Sequence, residues 1–125
     1  MDTSVLLATL LAEDRCPPAH WWNQSLISSR LLEYEVWNRI HARGLARSHG
    51  EATNSLLGRV AFLELVPPVL ERALEPFPMA VRTLDALHLS SIRFLRQTIP
   101  SLAVATYDRK MTDACRHLRF PVAAP

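Results

Sequence analysis

Glycine and cysteine are scarce in this 125-residue chain, and their scarcity excludes several kinds of site. The three glycines, Gly44, Gly50 and Gly58, form neither a dinucleotide-binding fingerprint nor a phosphate-binding P-loop. The two cysteines, Cys16 and Cys115, match no zinc-binding spacing and are expected to be free thiols. A nucleophile elbow of the Gly-x-Ser-x-Gly type is missing as well. The chemistry must therefore come from other side chains.

Long apolar segments are also missing, since no run reaches the roughly 18 residues that span a bilayer. The start, Met-Asp-Thr-Ser, has no positively charged region of the kind that begins a signal peptide. We therefore expect a cytoplasmic protein. Hydrophobic residues make up 49% of the chain and charged residues 21%, which predicts a packed core. The length predicts a single domain over residues 1–125.

Positive charge is concentrated in the last third of the chain. Residues 1–81 hold seven Lys/Arg and nine Asp/Glu, whereas residues 82–125 hold seven and three. A basic segment of this kind fits an anionic substrate such as nucleic acid. Charge alone favours the simpler interpretation, a basic face in contact with solvent.

Apolar spacing and turn residues predict strands that alternate with helices. Such alternation indicates an α/β domain with a mainly parallel sheet. The predicted segments are a strand around Leu26-Ile27-Ser28, a helix over 31–43 capped by Ser29, a helix over 50–62, a strand over 63–66, a helix over 84–95 capped by Thr83, a strand over 102–106 and a helix from Asp108 to about Leu118.

Four carboxylates, Asp2, Glu35, Asp85 and Asp108, lie beside apolar segments that are far apart in sequence. In open α/β sheets, sites form outside the carboxyl ends of the strands, and all four acids could meet at that rim. Carboxylates in apolar surroundings cost free energy, and a hard divalent cation is the simplest compensation.

Each acid also has a simpler explanation. Asp2 and Asp108, taken alone, are more often helix caps than ligands. Glu35 alone is more often a solvated helix residue. His88 follows Asp85 by three residues and shares its helix face, so a hydrogen bond between the two would be either structural or functional.

The order and spacing of four phrases resemble the PIN domain, specifically the VapC-type toxins of toxin–antitoxin pairs. The resemblance covers nearly the whole chain, and the third phrase is the most specific. The phrases are Asp2-Thr3-Ser4-Val5-Leu6, Ser29-Arg30-Leu31 followed by Glu35-Val36, Arg82-Thr83-Leu84-Asp85-Ala86-Leu87-His88-Leu89 and Thr106-Tyr107-Asp108-Arg109.

This resemblance implies a three-layer α/β/α sandwich with a mainly parallel central sheet. It also implies Mg²⁺- or Mn²⁺-dependent RNA cleavage, usually by a homodimer, and inhibition by a cognate antitoxin protein. The family's acidic residues, both catalytic and metal-binding, correspond to Asp2, Glu35, Asp85 and Asp108, and its hydroxyl neighbours to Ser4 and Thr106. The family has several apolar residues before its first Asp, whereas only Met1 precedes Asp2, so the first strand is expected to be shortened.

The mechanism that follows is metal-assisted phosphodiester hydrolysis, with the four acids holding one or two ions. Ser4 and Thr106 are expected to orient carboxylates or waters. The candidate phosphate contacts are Arg82, Arg109, Lys110 and Arg116. The alternative is a catalytically impaired PIN-like module that binds nucleic acid or a protein partner. The residues do not distinguish RNA from DNA.

Overall fold

A computed structural model describes residues 1–123 and residue 125 of the chain. Helices and short strands alternate through this part of the chain. In order, the elements are α1 (Thr3–Leu10), a short 3-10 helix (Ala19–Asn23), β1 (Leu26–Ser29), α2 (Leu31–Ala42), α3 (Ala46–Leu57), β2 (Val60–Leu63), α4 (Pro67–Ala73), α5 (Thr83–Thr98), β3 (Val104–Ala105), α6 (Arg109–His117) and β4 (Val122–Ala123).

The strands form two parallel pairs. β1 pairs with β2 in a register that runs from Leu26 opposite Val60 to Ser29 opposite Leu63. β3 pairs with β4, with Val104 opposite Val122. Helices connect and cover the strands, as parallel pairing requires. The predicted α/β class with parallel strand pairing is therefore confirmed, and in the described residues the strands form two separate pairs.

The first two residues connect the two strand pairs. The terminal amine of Met1 donates to the Ile27 carbonyl of β1 at 2.8 Å. The N–H of Asp2 donates to the Ala105 carbonyl of β3, also at 2.8 Å. Asp2 has an extended backbone, and α1 begins at the next residue. These two residues thus join the strand pairs through main-chain hydrogen bonds.

An apolar cluster fills the space on each strand pair, and together they fix the helices that carry the acids. α1 and α2 pack against β1 and β2 through side chains that are fully buried: Leu6, Leu32, Val36 and Ile40. α5 and α6 pack on β3 through Leu89, Val104, Met111, Ala114 and Cys115. Each large apolar side chain buried in this way stabilises the fold by about 1.5–3 kcal/mol.

The predicted helix over 50–62 and strand over 63–66 are both wrong in position. Helix α3 begins at Ala46 and ends at Leu57, and the strand that follows is Val60–Leu63. Leu56, Leu57, Val60 and Ala61 fit a helical stripe, but Gly58 follows the helix as its C-cap. Pairing with β1 then decides the conformation of the next residues. Short apolar runs are ambiguous in this way because local spacing does not report a distant partner.

Neither residue predicted as an N-cap occupies that position. Arg30 is at the cap position of α2, and the hydroxyl of Ser29, one residue earlier, accepts the N–H of Leu31 at 3.2 Å. Thr83 is instead the first residue of α5, and Arg82 occupies the cap position without a side-chain hydrogen bond.

Both cysteines are free thiols, as expected: Cys16 is exposed and Cys115 is buried. Within the described residues, none of the helices combines the length and the apolar character needed to cross a bilayer.

Candidate active site

Asp2 is held by a dense set of hydrogen bonds. Its Oδ2 atom accepts from the Ser4 hydroxyl at 2.7 Å, from the Thr106 hydroxyl at 2.9 Å and from the Ser4 N–H at 3.4 Å. It is therefore the N-cap of α1, as one interpretation of the sequence predicts. The contact with Thr106 goes further, because it ties this carboxylate to the loop after β3. Asp2 is therefore both the N-cap of α1 and linked to the loop that carries Asp108.

The two hydroxyls extend this network to the loop that carries Asp108. Ser4 Oγ accepts the N–H of Tyr107 at 2.9 Å, and Thr106 Oγ1 accepts the N–H of Asp108 at 2.9 Å. Since a backbone N–H only donates, each hydroxyl proton is left to donate to Asp2. Ser4 and Thr106 thus lie where hydroxyls that orient a carboxylate were expected.

Asp108 precedes α6 and caps it. Its Oδ1 atom accepts the N–H of Lys110 at 2.9 Å. The buried Met111 and Cys115 fix the helix that this cap begins. Asp108 therefore stands at a defined point beside the end of β3, the position that the sheet rule predicts.

Asp85 lies in the first turn of α5, and the pKa of its carboxyl is shifted by burial and by neighbouring charges. Burial raises the pKa of this carboxyl above its usual value, and repulsion from Asp108, Asp2 and Glu35 raises it further, against the opposing effect of His88. The hydrogen bonds place the acids near one another. Thr106 links Asp2 to the backbone of Asp108. Glu35 contacts His88, which is one helical turn beyond Asp85 on α5.

Glu35 lies on α2 and is held through a single oxygen. Its Oε1 atom accepts from the Thr3 hydroxyl at 3.0 Å and also contacts Nε2 of His88. His88 therefore pairs with Glu35 rather than with Asp85, its neighbour on the same helix face. Sequence reasoning did not assign Thr3 or the contact between His88 and Glu35. The one available signal was proximity in sequence. Thr3 is the residue after Asp2, and His88 is three residues after Asp85 on α5.

The basic candidates separate into two groups. Arg82 and Lys110 line a cleft of about 490 Å³ that also contains Asp85. Arg109 and Arg116 are exposed on α6 and are not among the residues lining this cleft. His117, which the sequence analysis did not single out, lines it too. The cleft therefore has cationic side chains in the same lining as Asp85.

The donor set suits a hard divalent cation. Carboxylate oxygens are the ligands that Mg²⁺ and Mn²⁺ prefer. In residues 1–123 and 125, no three His, Cys, Asp or Glu side chains are close enough to enclose an ion by themselves. Mg²⁺ keeps several of its waters and commonly uses only one or two carboxylates, so such a cage is not required. The mutual repulsion felt by Asp85 is the feature that a cation would relieve.

Comparison with known proteins agrees with this arrangement. The family model of the PIN domain matches residues 1–116. Ribonuclease VapC47 of Mycobacterium tuberculosis (strain CDC 1551 / Oshkosh) is 29% identical, over 100% of this chain and 95% of the relative. Ribonuclease VapC46 of Mycobacterium tuberculosis (strain ATCC 25618 / H37Rv) is 33% identical, over 79% of this chain and 73% of the relative.

A third relative, Ribonuclease VapC35 of the same species, is 31% identical over 79% of this chain and 72% of its own length. No solved structure matches the chain. The family match covers well over half of the chain and includes the segments of all four acids. The chain therefore belongs to the PIN-domain family and is a VapC-type member of it.

Proposed function

We propose that this protein is an endoribonuclease that needs Mg²⁺ or Mn²⁺ and acts as the toxin of a type II toxin–antitoxin system. Its substrate is RNA, and its reaction is hydrolysis of a phosphodiester bond. The relatives named as ribonucleases support the reaction and the substrate class. The observation that carries the proposal is the set of hydrogen bonds that brings the segments of the four acids together. Thr106 bonds both Asp2 and the backbone of Asp108. Glu35 contacts Thr3 and His88, which lie on the helices that begin beside Asp2 and Asp85.

The four acids together would hold the cation, directly or through waters. A bound Mg²⁺ or Mn²⁺ supplies an activated water near neutral pH and neutralises charge on the scissile phosphate. The protein's own part is to orient the carboxylates. Ser4 and Thr106 do this for Asp2, since both hydroxyls donate to its Oδ2 atom.

Cationic side chains near the acids would bind the RNA backbone. Arg82 and Lys110 lie in the cleft with Asp85 and would contact phosphates next to the scissile bond. Arg109 and Arg116 are exposed on α6 and would act further along the strand. This division lets the inner pair position the substrate while the outer pair adds affinity that depends weakly on sequence.

Protein partners belong to the same proposal. A cognate antitoxin would block the site, and the toxin would act in the cytoplasm as a homodimer. Several large apolar side chains are exposed and would form such contacts: Tyr34, Leu70, Leu74 and Leu84. Leu84 is next to Asp85 in sequence, so a partner that covers it would also cover the site.

The test is RNA cleavage by wild type and by the variant Asp85→Asn, each with Mn²⁺ or with chelator. We expect wild type with Mn²⁺ to degrade total RNA. Loss of either the ion or the carboxylate should lower the rate by at least about a hundredfold. Asp14→Asn is the matched control, because Asp14 is exposed in the loop after α1, and it should cleave like wild type.

The opposite outcomes are equally clear. Full activity of Asp85→Asn would reject the site assignment, and full activity in chelator would reject the metal requirement. RNA binding without cleavage, in the presence of Mn²⁺, would favour the impaired binding module. Preferential cleavage of single-stranded DNA would reject the substrate class.

A further inference from the structure

Three helices converge on one atom of Glu35. Thr3 of α1 donates to Oε1 at 3.0 Å, and His88 of α5 contacts the same oxygen through Nε2. Glu35 itself is on α2. Thr3 and His88 are only 8% and 6% exposed, whereas the Glu35 side chain is 26% exposed. Two buried donors thus hold one oxygen of a carboxylate that reaches toward solvent.

The contact also defines which ring nitrogen of His88 carries a hydrogen. Because a carboxylate oxygen accepts, Nε2 of His88 carries a hydrogen whether the ring is neutral or charged. The geometry therefore does not depend on the protonation state of the ring. No described hydrogen bond uses the other oxygen, Oε2 of Glu35.

We propose that Thr3 and His88 are positioning residues that fix the Glu35 carboxylate so that its free oxygen is presented to the divalent cation. The inference rests on the function proposed above. Glu has three rotatable side-chain bonds and would otherwise sample many conformers. Partners of this kind, which hold a ligand from behind, typically change metal affinity by ten- to a hundredfold when removed.

A purely structural role is the competing explanation, because a buried histidine needs a hydrogen-bond partner in any protein. The two roles differ in what they change. Structural partners affect unfolding, whereas positioning partners also affect metal affinity in protein that is fully folded. Restoring the donor with a different side chain should then restore the affinity.

The experiment measures the binding of Mn²⁺ alone by calorimetry, on metal-free protein whose folding is checked by thermal unfolding. His88→Leu removes the donor, and we expect Mn²⁺ to bind about tenfold more weakly. His88→Gln restores an N–H donor at a similar distance from the backbone and should recover most of the affinity. Thr3→Val keeps the volume but removes the hydroxyl, and Thr3→Ser keeps the hydroxyl, so only the former should weaken binding.

Thr53→Val is the matched control. Thr53 is completely buried, and its hydroxyl donates to the His49 carbonyl on α3. The variant should lose stability as Thr3→Val does, but it should bind Mn²⁺ like wild type. Because Thr3 and His88 are changed separately, the failure of one variant to fold leaves the other to decide.

Two negative results are distinguishable. If wild type binds Mn²⁺ and cleaves RNA while Thr3→Val and His88→Leu bind it within twofold of wild type, the positioning role is rejected and the proposed function stands. If wild type shows no Mn²⁺ binding, the proposed function falls and takes this inference with it.

Discussion

Ser4 and Thr106 are 102 positions apart in the chain, yet their hydroxyl oxygens are 3.4 Å apart and both donate to Oδ2 of Asp2. Each also accepts a backbone N–H from the segment at Tyr107 and Asp108. The pair therefore joins the start of α1 to the loop after β3. Hydrogen bonds from both segments therefore fix the orientation of the Asp2 carboxylate.

Removal of either hydroxyl should therefore lower stability and activity together. We expect Ser4→Ala and Thr106→Val each to reduce the free energy of unfolding by about 1–3 kcal/mol, since an Asp2 oxygen and a backbone N–H lose their partner. Urea titration measures the loss. The double variant should cost less than the two single losses added, because the residues share one acceptor. Ser55→Ala, exposed on α3, should change stability by less than about 0.5 kcal/mol. Strict additivity would contradict the shared role.

The raised pKa of Asp85 predicts a pH-dependent difference between wild type and Asp85→Asn. Burial and the charges of Asp108, Asp2 and Glu35 raise this pKa above 3.8, so the folded state binds the proton more tightly than the unfolded state. Wild type in chelator should therefore lose stability relative to the variant as pH rises from about 4 toward 7. Urea titrations across this range measure the difference.

Added Mn²⁺ should reverse that trend at pH 7. An ion that binds only the folded protein stabilises it by mass action, and it does so less in a variant that lacks a ligand. We expect wild type to gain more stability than Asp85→Asn at the same Mn²⁺ concentration. A difference that is constant with pH would contradict the raised pKa of Asp85, and an equal gain with Mn²⁺ would show that Asp85 does not bind the ion.

Substitution of the cleft cations should separate positioning from general affinity. Arg82 and Lys110 line the cleft of Asp85, whereas Arg116 is exposed on α6 and lies outside that lining. RNA binding is measured with each variant built on Asp85→Asn, so that the substrate survives. We expect Arg82→Gln and Lys110→Gln each to reduce affinity several-fold and to reduce the salt dependence by about one phosphate contact.

Arg116→Gln provides the comparison, since it removes the same charge from the same surface region. In the cleavage assay, it should leave the maximal rate nearly unchanged, while Arg82→Gln and Lys110→Gln lower it. Equal effects of all three substitutions on rate would indicate a diffuse basic surface and no distinct phosphate site in the cleft.

Local sequence signals located most of the acids, but not their partners. Asp108 follows a buried strand, and Asp85 occurs in a first helical turn, so both positions follow from patterns that span a few residues. The pairing of His88 with Glu35 could not be predicted in this way, because Glu35 is 53 positions away and the nearer Asp85 shares the helix face of His88. The position of β2 was missed for the same reason, since pairing with β1 is also a long-range contact. Contacts between distant segments are decided by packing, which the order of residues does not display.

The hydrogen bond between Met1 and Ile27 provides the last prediction. The amine donates to the Ile27 carbonyl at 2.8 Å, and burial lowers the pKa of this amine from 8.0 to about 6. The unfolded chain therefore binds the proton more tightly, and stability should rise as pH increases from about 6 to about 8. Two pKa units correspond to roughly 3 kcal/mol, which is an upper limit for this effect.

Acetylation of the amine, or one alanine added before Met1, should remove this dependence. The resulting amide N–H still donates to Ile27 but carries no charge, so nothing needs to be deprotonated on folding. We expect the modified protein to be more stable than the original at pH 5.5, with the difference shrinking by pH 8.5. Urea titration at both pH values measures it. A difference of the same size at both values would mean that the amine is not buried against β1, and the role of Met1 as the link between the strand pairs would fail with it.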